Sequence, residues 1–143
     1  MNILPYNNQA HREKVTSLWN ELFDYTSPQS KPHVIIDKKL DFEDGLFFVA
    51  VDDSGVIGTI LAGYDGHRGW LYSLCVAKKY QRKGIGSDLV KYAEAALIKL
   101  GCVKINLQIV SLNAEVVNFY KKHGYQAEPR ISMGKLITEN LPK

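Results

Sequence analysis

The chain has 143 residues, is 45% hydrophobic and 23% charged, and carries a formal net charge of +3 at pH 7. That length suits one domain over residues 1–143 with a core that needs no covalent staples, and the composition is globular rather than fibrous or disordered. Lys and Arg are scattered, with their densest local cluster at Lys78-Lys79 and Arg82-Lys83, which argues against bulk nucleic-acid binding and suits a small polyanion.

The two cysteines, Cys75 and Cys102, lack metal-ligand spacing and sit in or beside apolar runs. They read as buried free thiols, with no metal expected. Free thiols fit a cytoplasmic location. The first residues have no basic segment followed by an apolar run, so no signal peptide is expected. No apolar run reaches membrane-spanning length.

In chain order, residues 2–6 read as a short strand. Asn7 or Asn8 then caps a helix over about 8–24, with Val15, Leu18, Trp19, Leu22 and Phe23 on one stripe. Residues 25–32 have loop composition, and a helix of poor periodicity follows over about 33–42. Strands over 46–51, 56–64 and 70–76, joined by Asp- and Gly-rich turns, form an antiparallel meander. A helix over 85–100 carries Ile85, Leu89, Tyr92, Ala93, Ala96, Leu97 and Leu100 on its stripe, and Gly101 ends it. Residues 103–110 alternate as a strand. Strand, helix and strand make a βαβ unit with parallel strands. A helix over 114–122 has Asn113 as its N-cap and stops at His123-Gly124; terminal strands over 125–128 and 131–137 flank Pro129. The fold class is α/β in the α+β sense: one mixed sheet, mostly an antiparallel meander plus a parallel βαβ unit, with helices on both faces.

The informative stretch is Gln81-Arg82-Lys83-Gly84-Ile85-Gly86-Ser87, between a strand and a helix. Two glycines allow a tight turn with no side chains over it, and the helix then presents its N–H groups to an anion. The Lys precedes both glycines, which excludes a Walker loop. Leu89 holds the third glycine position of a dinucleotide fingerprint, and Asn106, Leu107 and Gln108 supply no ribose-binding acid.

Gln81-Arg82-Lys83-Gly84-Ile85-Gly86 resembles the acetyl-CoA pyrophosphate loop of the GCN5-related N-acetyltransferases. Asn113, Phe119, Tyr120, Gly124 and Tyr125 resemble that family's second motif, and the order of elements is similar over nearly the whole chain. The run from Gly63 to Gly69 resembles the small bacterial YpeA-like branch. The resemblance implies a single acetyltransferase domain with acetyl-CoA as cosubstrate. Backbone N–H groups of Arg82, Lys83, Gly84, Ile85, Gly86 and Ser87 would hold the pyrophosphate in the loop that Gln81 opens. Leu74, Cys75 and Val76 would pair with the pantetheine arm, Asn113 would hydrogen-bond the arm or adjacent backbone, and Tyr120 would stand near the thioester sulfur. The implied acceptor is a primary amine of unknown identity, on a small molecule or a protein or peptide N-terminus. No nucleic acid or membrane partner is implied, and homodimerisation stays open.

Acetyl transfer to an amine needs a donor to the developing oxyanion, for which an N–H near Val76 qualifies. It needs an acid for the leaving thiolate, for which Tyr120 qualifies. It also needs a route for the amine proton. Residues 70–76 contain no acid, which leaves His67, Asp65, His33, or Tyr72 with Ser73 through water. That gap keeps a second reading open, a non-catalytic acyl-CoA-binding regulatory module. Cys75 reads as a packing thiol before an acyl carrier. Trp19 and Phe23 read as core, and Tyr25 as open between groove and core. Residues 23–33 and 127–131, where the family binds its acceptor, carry no decodable motif.

Overall fold

Five strands make one sheet in sequence order: β1 (Asn2–Pro5), β2 (Phe47–Asp52), β3 (Gly55–Tyr64), β4 (Gly69–Val76) and β5 (Ile105–Leu107). The first four pair antiparallel, and β4 and β5 pair parallel. This computed structural model describes residues 1–24, 27–110 and 113–141; Tyr25 lies outside the described residues. The hairpin turns have local causes. Asp52 accepts from the Ser54 N–H and hydroxyl, and Asp65 accepts from the His67 and Arg68 N–H groups. Such carboxylate caps hold a chain reversal without help from the core.

Strand alternation then sorts the side chains onto two faces. Phe47, Val49 and Leu61 pack with Val15, Leu18 and Trp19 of α1 (Asn8–Leu22) and Ile36 of α2 (Pro32–Phe42). Phe48, one residue out of phase, meets Tyr92 of α3 (Ile85–Lys99) edge-on at 4.9 Å. Helices therefore cover both faces of the mixed sheet, as the sequence pattern predicts. On the α3 face β3 approaches closely: a Cβ on Gly58 would stand 2.9 Å from the Cys75 carbonyl and 3.1 Å from Leu89 Cδ1.

Caps set the helix ends. Asn7 accepts from the Ala10 N–H at 2.9 Å, the predicted start of α1. Pro32 stands at the start of α2, where its fixed φ is already helical; this compensates for that helix's weak periodicity. Gly101, at φ 91°, closes α3 through N–H bonds from Gly101 to Ile98 and from Cys102 to Leu97. That paired closure is the one a C′ glycine permits.

The chain divides into two units. Residues 1–107 hold the sheet and α1 to α3, and residues 108–143 hold α4 (Ala114–Lys122). Gly124, at φ 89°, ends α4 as Gly101 ends α3, with N–H bonds from Gly124 to Lys121 and from Tyr125 to Tyr120. Two strand expectations are corrected here. The strand predicted over 103–110 is only Ile105–Leu107, and none of the described residues within 125–128 or 131–137 forms a strand. Alternating side chains specify a face but not an edge to pair with. Pro129 withholds an N–H from any ladder there, and Ile131 and Met133 are both 90% exposed.

Candidate active site

The most distinctive backbone in the first unit is the second half of β4. Parallel pairing with β5 runs only from Gly69–Ile105 to Leu71–Leu107. Beyond it, the β3–β4 register slips between Thr59–Cys75 and Leu61–Tyr72, so Ser73 and Leu74 together oppose Ile60. This is a β-bulge, and Ser73 takes a left-handed φ of 50° to make it. Past the bulge, Ala77 N–H bonds the Ile57 carbonyl at 2.8 Å. Antiparallel alternation then makes Cys75–Thr59 a hydrogen-bonded pair and Val76–Gly58 a pair without mutual bonds. The Val76 N–H and carbonyl therefore point away from β3, on the side where β5 has ended. Its carbonyl is taken there by Gln81 Nε2 at 2.9 Å.

That bond pins the following turn to the strand. Arg82 (φ 63°) and Gly84 (φ 85°) both adopt left-handed backbone, and α3 starts at Ile85. Gly84 offers no side-chain cap. The first-turn N–H groups of any helix lack intrahelical acceptors, so this helix start faces outward as a partial positive charge. Cations gather beside it. Lys79 and Lys83 lie 5.4 and 5.7 Å from the centre of the Tyr80 ring, whose hydroxyl is 3.2 Å from Ser54 Oγ. An anionic group fits this turn better than any other ligand chemistry.

The side chains on the α1–α2 face were partly missed by the sequence. Lys39 is buried, and its Nζ donates to the Asp44 carboxylate at 2.8 Å and to the Ala62 carbonyl. It also lies 5.6 Å from the centre of the Tyr72 ring, one residue before the bulge. Its place three residues after Ile36 on the α2 stripe was the available signal. Thr59 is fully buried and touches Trp19, Ser73 and Cys75. It is the one polar side chain in the run from Val56 to Ala62.

Cys75 faces the same core, and burial pushes its thiol up to about 11. From an ordinary value of 9.0, that removes about 99% of the thiolate present at pH 8. In a Cys102→Ser background, the native thiol should react with a disulfide reagent at pH 8 roughly a hundredfold more slowly than in the unfolded chain. Equal rates would restore Cys75 as a nucleophile.

Asp65 and His67 sit at the β3–β4 turn, both exposed, with Asp65 held below the usual carboxylate range by the N–H groups of Arg68 and His67. Seven residue steps of β4, roughly 23 Å, separate that turn from Val76. His33 is exposed at the start of α2.

In the second unit, Asn113 caps α4, accepting from the Val116 N–H at 3.2 Å. Tyr120 is buried, with Phe119 and Tyr125 edge-on at 5.0 and 5.5 Å. Burial pushes its phenol up to about 12, so it is a proton holder at neutral pH.

Residues 12–125 match the acetyltransferase (GNAT) family. The chain belongs to this family. As a member it is an acyltransferase enzyme, and the mixed sheet described above is the fold of its relatives. A glucosamine-6-phosphate N-acetyltransferase from Arabidopsis thaliana superposes with a TM-score of 0.71 at 17% identity, over 94% of this chain and 97% of that one. The AAC(6')-Iy structure in complex with the bisubstrate analog CoA-S-monomethyl-acetylneamine gives 0.74 at 16% identity, over 95% and 97%. The NatC complex bound to Gag peptide and CoA gives 0.72 at 23% identity, over 86% and 84%. At these identities the likeness is one of fold. Within the acetyltransferase, Leu74, Cys75, Val76 and residues 81–87 belong to one strand end, turn and helix start in the first unit, whereas Asn113 caps α4 and Tyr120 lies within it in the second.

Proposed function

We propose that this acetyltransferase moves an acetyl group from acetyl-CoA to a primary amine, by direct attack of the amine in a ternary complex. The observation that carries the reading is the outward Val76 N–H on the open edge of β4, joined through Gln81 to the glycine turn that heads α3. Pantetheine is a chain of amides and pairs with such an edge as an added strand does. The pyrophosphate at its far end is the anion that the turn around Gly84 to Ser87 suits.

In this reading Arg82, Lys83, Gly84, Ile85, Gly86 and Ser87 hold the pyrophosphate, and Leu74 and Val76 hold the arm. Cys75 contributes packing, because its main chain pairs with Thr59. Asn113, besides capping α4, hydrogen-bonds the arm or the backbone beside it. The amine nitrogen attacks the thioester carbon, and the Val76 N–H donates to the oxygen as it gains charge. The carbon–sulfur bond breaks, Tyr120 donates its phenolic proton to the leaving thiolate, and the amine proton passes to solvent and restores it. Holding both reactants on one sheet edge removes much of the entropic barrier. Asp65 and His67 are too far along β4 to reach an acyl group at Val76, which leaves His33 or water near Tyr72 and Ser73 to take the amine proton. Free thiols at Cys75 and Cys102 support a cytoplasmic setting.

Thermal stability tests the donor. A ligand at a hundred times its Kd adds about 2.7 kcal/mol of stability. Acetyl-CoA and CoA should raise Tm, and ATP and NADH at equal concentration should raise it much less. Stabilisation by NADH or ATP alone would overturn the assignment.

A further inference from the structure

Thr59 is a buried hydroxyl on the core face that holds Val49, Leu61, Trp19 and Cys75. A valine has its shape, but it would leave the Trp19 N–H and the Ser73 carbonyl without this partner. Its hydrogen bonds are complete. Trp19 Nε1 donates to Oγ1 at 2.9 Å, Oγ1 donates to the Ser73 carbonyl at 2.8 Å, and Cys75 Sγ lies 3.3 Å away. A hydroxyl has one proton and two lone pairs. The carbonyl can only accept and the indole can only donate, so the Cys75 S–H fills the remaining lone pair. The carbonyl it holds belongs to Ser73, the left-handed residue of the bulge. A non-glycine residue keeps that backbone only where its surroundings over-determine it. Three residues later comes the outward Val76 N–H.

We infer that Thr59 is a positioning residue: with Trp19 it fixes the Ser73 bulge, and through the bulge it aims the Val76 N–H at the acyl oxygen. This rests on the proposed function, and it assigns a task to a side chain that does not itself touch the thioester. It also ties α1, through Trp19, to the geometry of the reacting edge.

The amide signal of Val76 in 15N-labelled protein reads this directly. In the wild type, acetyl-CoA should move that signal further than CoA does, because only acetyl-CoA places a carbonyl against it. Thr59→Val should abolish the difference and weaken acetyl-CoA binding about tenfold, the loss of one hydrogen bond from the Val76 N–H to the acyl oxygen. ADP, which probes the phosphate turn alone, should bind the variant within about twofold of wild type. Thr59→Ser should restore both the signal difference and the affinity. Trp19→Phe, which removes the indole donor along with part of the buried ring, should shrink the signal difference in the same direction and carries the test if Thr59→Val does not fold. An unchanged Val76 response in the variants overturns the inference, as does an equal loss of ADP and acetyl-CoA binding, which marks general damage. A Val76 signal that is indifferent to acetyl-CoA in the wild type defeats the proposed function itself.

Discussion

Gly84→Val should weaken acetyl-CoA binding by one to two orders of magnitude while the chain still folds. Gly84 has φ 85° and ψ 2°, and it is the residue on which α3 starts. A Cβ there would meet nothing within 4 Å, so crowding is not the cause. The cost is in the backbone: left-handed geometry costs an L-residue about 1–2 kcal/mol, and a β-branched one is a true outlier there. The turn can relieve this by rotating Gly84 out of the left-handed region, which swings the N–H groups ahead of Ile85 off their common target. Losing one hydrogen bond to a charged group costs about 1.5–3 kcal/mol, or roughly ten- to a hundredfold in Kd. Gly84→Asn is the control, because Asn tolerates left-handed backbone; its affinity should stay near wild type. Calorimetric titration of all three proteins decides it. A valine variant with wild-type affinity would remove the turn from the binding site.

Tyr120→Phe should lower turnover by roughly 10²- to 10⁴-fold, the usual size of general acid catalysis, and leave coenzyme affinity within about twofold. The phenol's value, raised by burial from 10.0 to about 12, keeps its proton across the working range. Loss of that proton should therefore not depress the wild-type rate between pH 7 and 10. The same shift has a stability consequence with a definite sign. Burial favours the protonated form, so the contribution is fully present below pH 10 and is lost as pH rises through about 12. Alkaline denaturation of the phenylalanine variant should show a shallower fall over that window. Equal rates for the two proteins at every pH would leave Tyr120 a packing residue of α4.

The legible parts of this fold are those whose cause is local. The α1 stripe from Val15 to Leu22, the Asn7 cap, the glycines that close α3 and α4, and the Asp52 and Asp65 turns all act within a few residues of themselves. The turn at residues 81–87 is equally local, which is why its two glycines are enough to mark the passage from strand to helix. What stayed hidden depends on partners distant in sequence. The bulge at Ser73 carries no glycine to announce it. The Trp19–Thr59 bond joins residues whose proximity only the folded sheet creates. The unformed strands over 125–128 and 131–137 show the same limit from the other side, since alternation was present and a partner edge was not. The absence of an acid in β4 was legible; the distance of Asp65 and His67 from Val76 was not, because it depends on register.

The most direct measurement is release of free thiol from acetyl-CoA in the presence of polyamines, aminoglycosides, amino acids and peptides with free N-termini, with mass spectrometry of each amine. Acetylation of at least one class, well above thiol release without amine and at least tenfold slower in Gly84→Val at limiting acetyl-CoA, is the expected result. Tight acetyl-CoA binding with no thiol release above hydrolysis for any amine would contradict it, and would leave an acyl-CoA-binding module in place of amine acetylation.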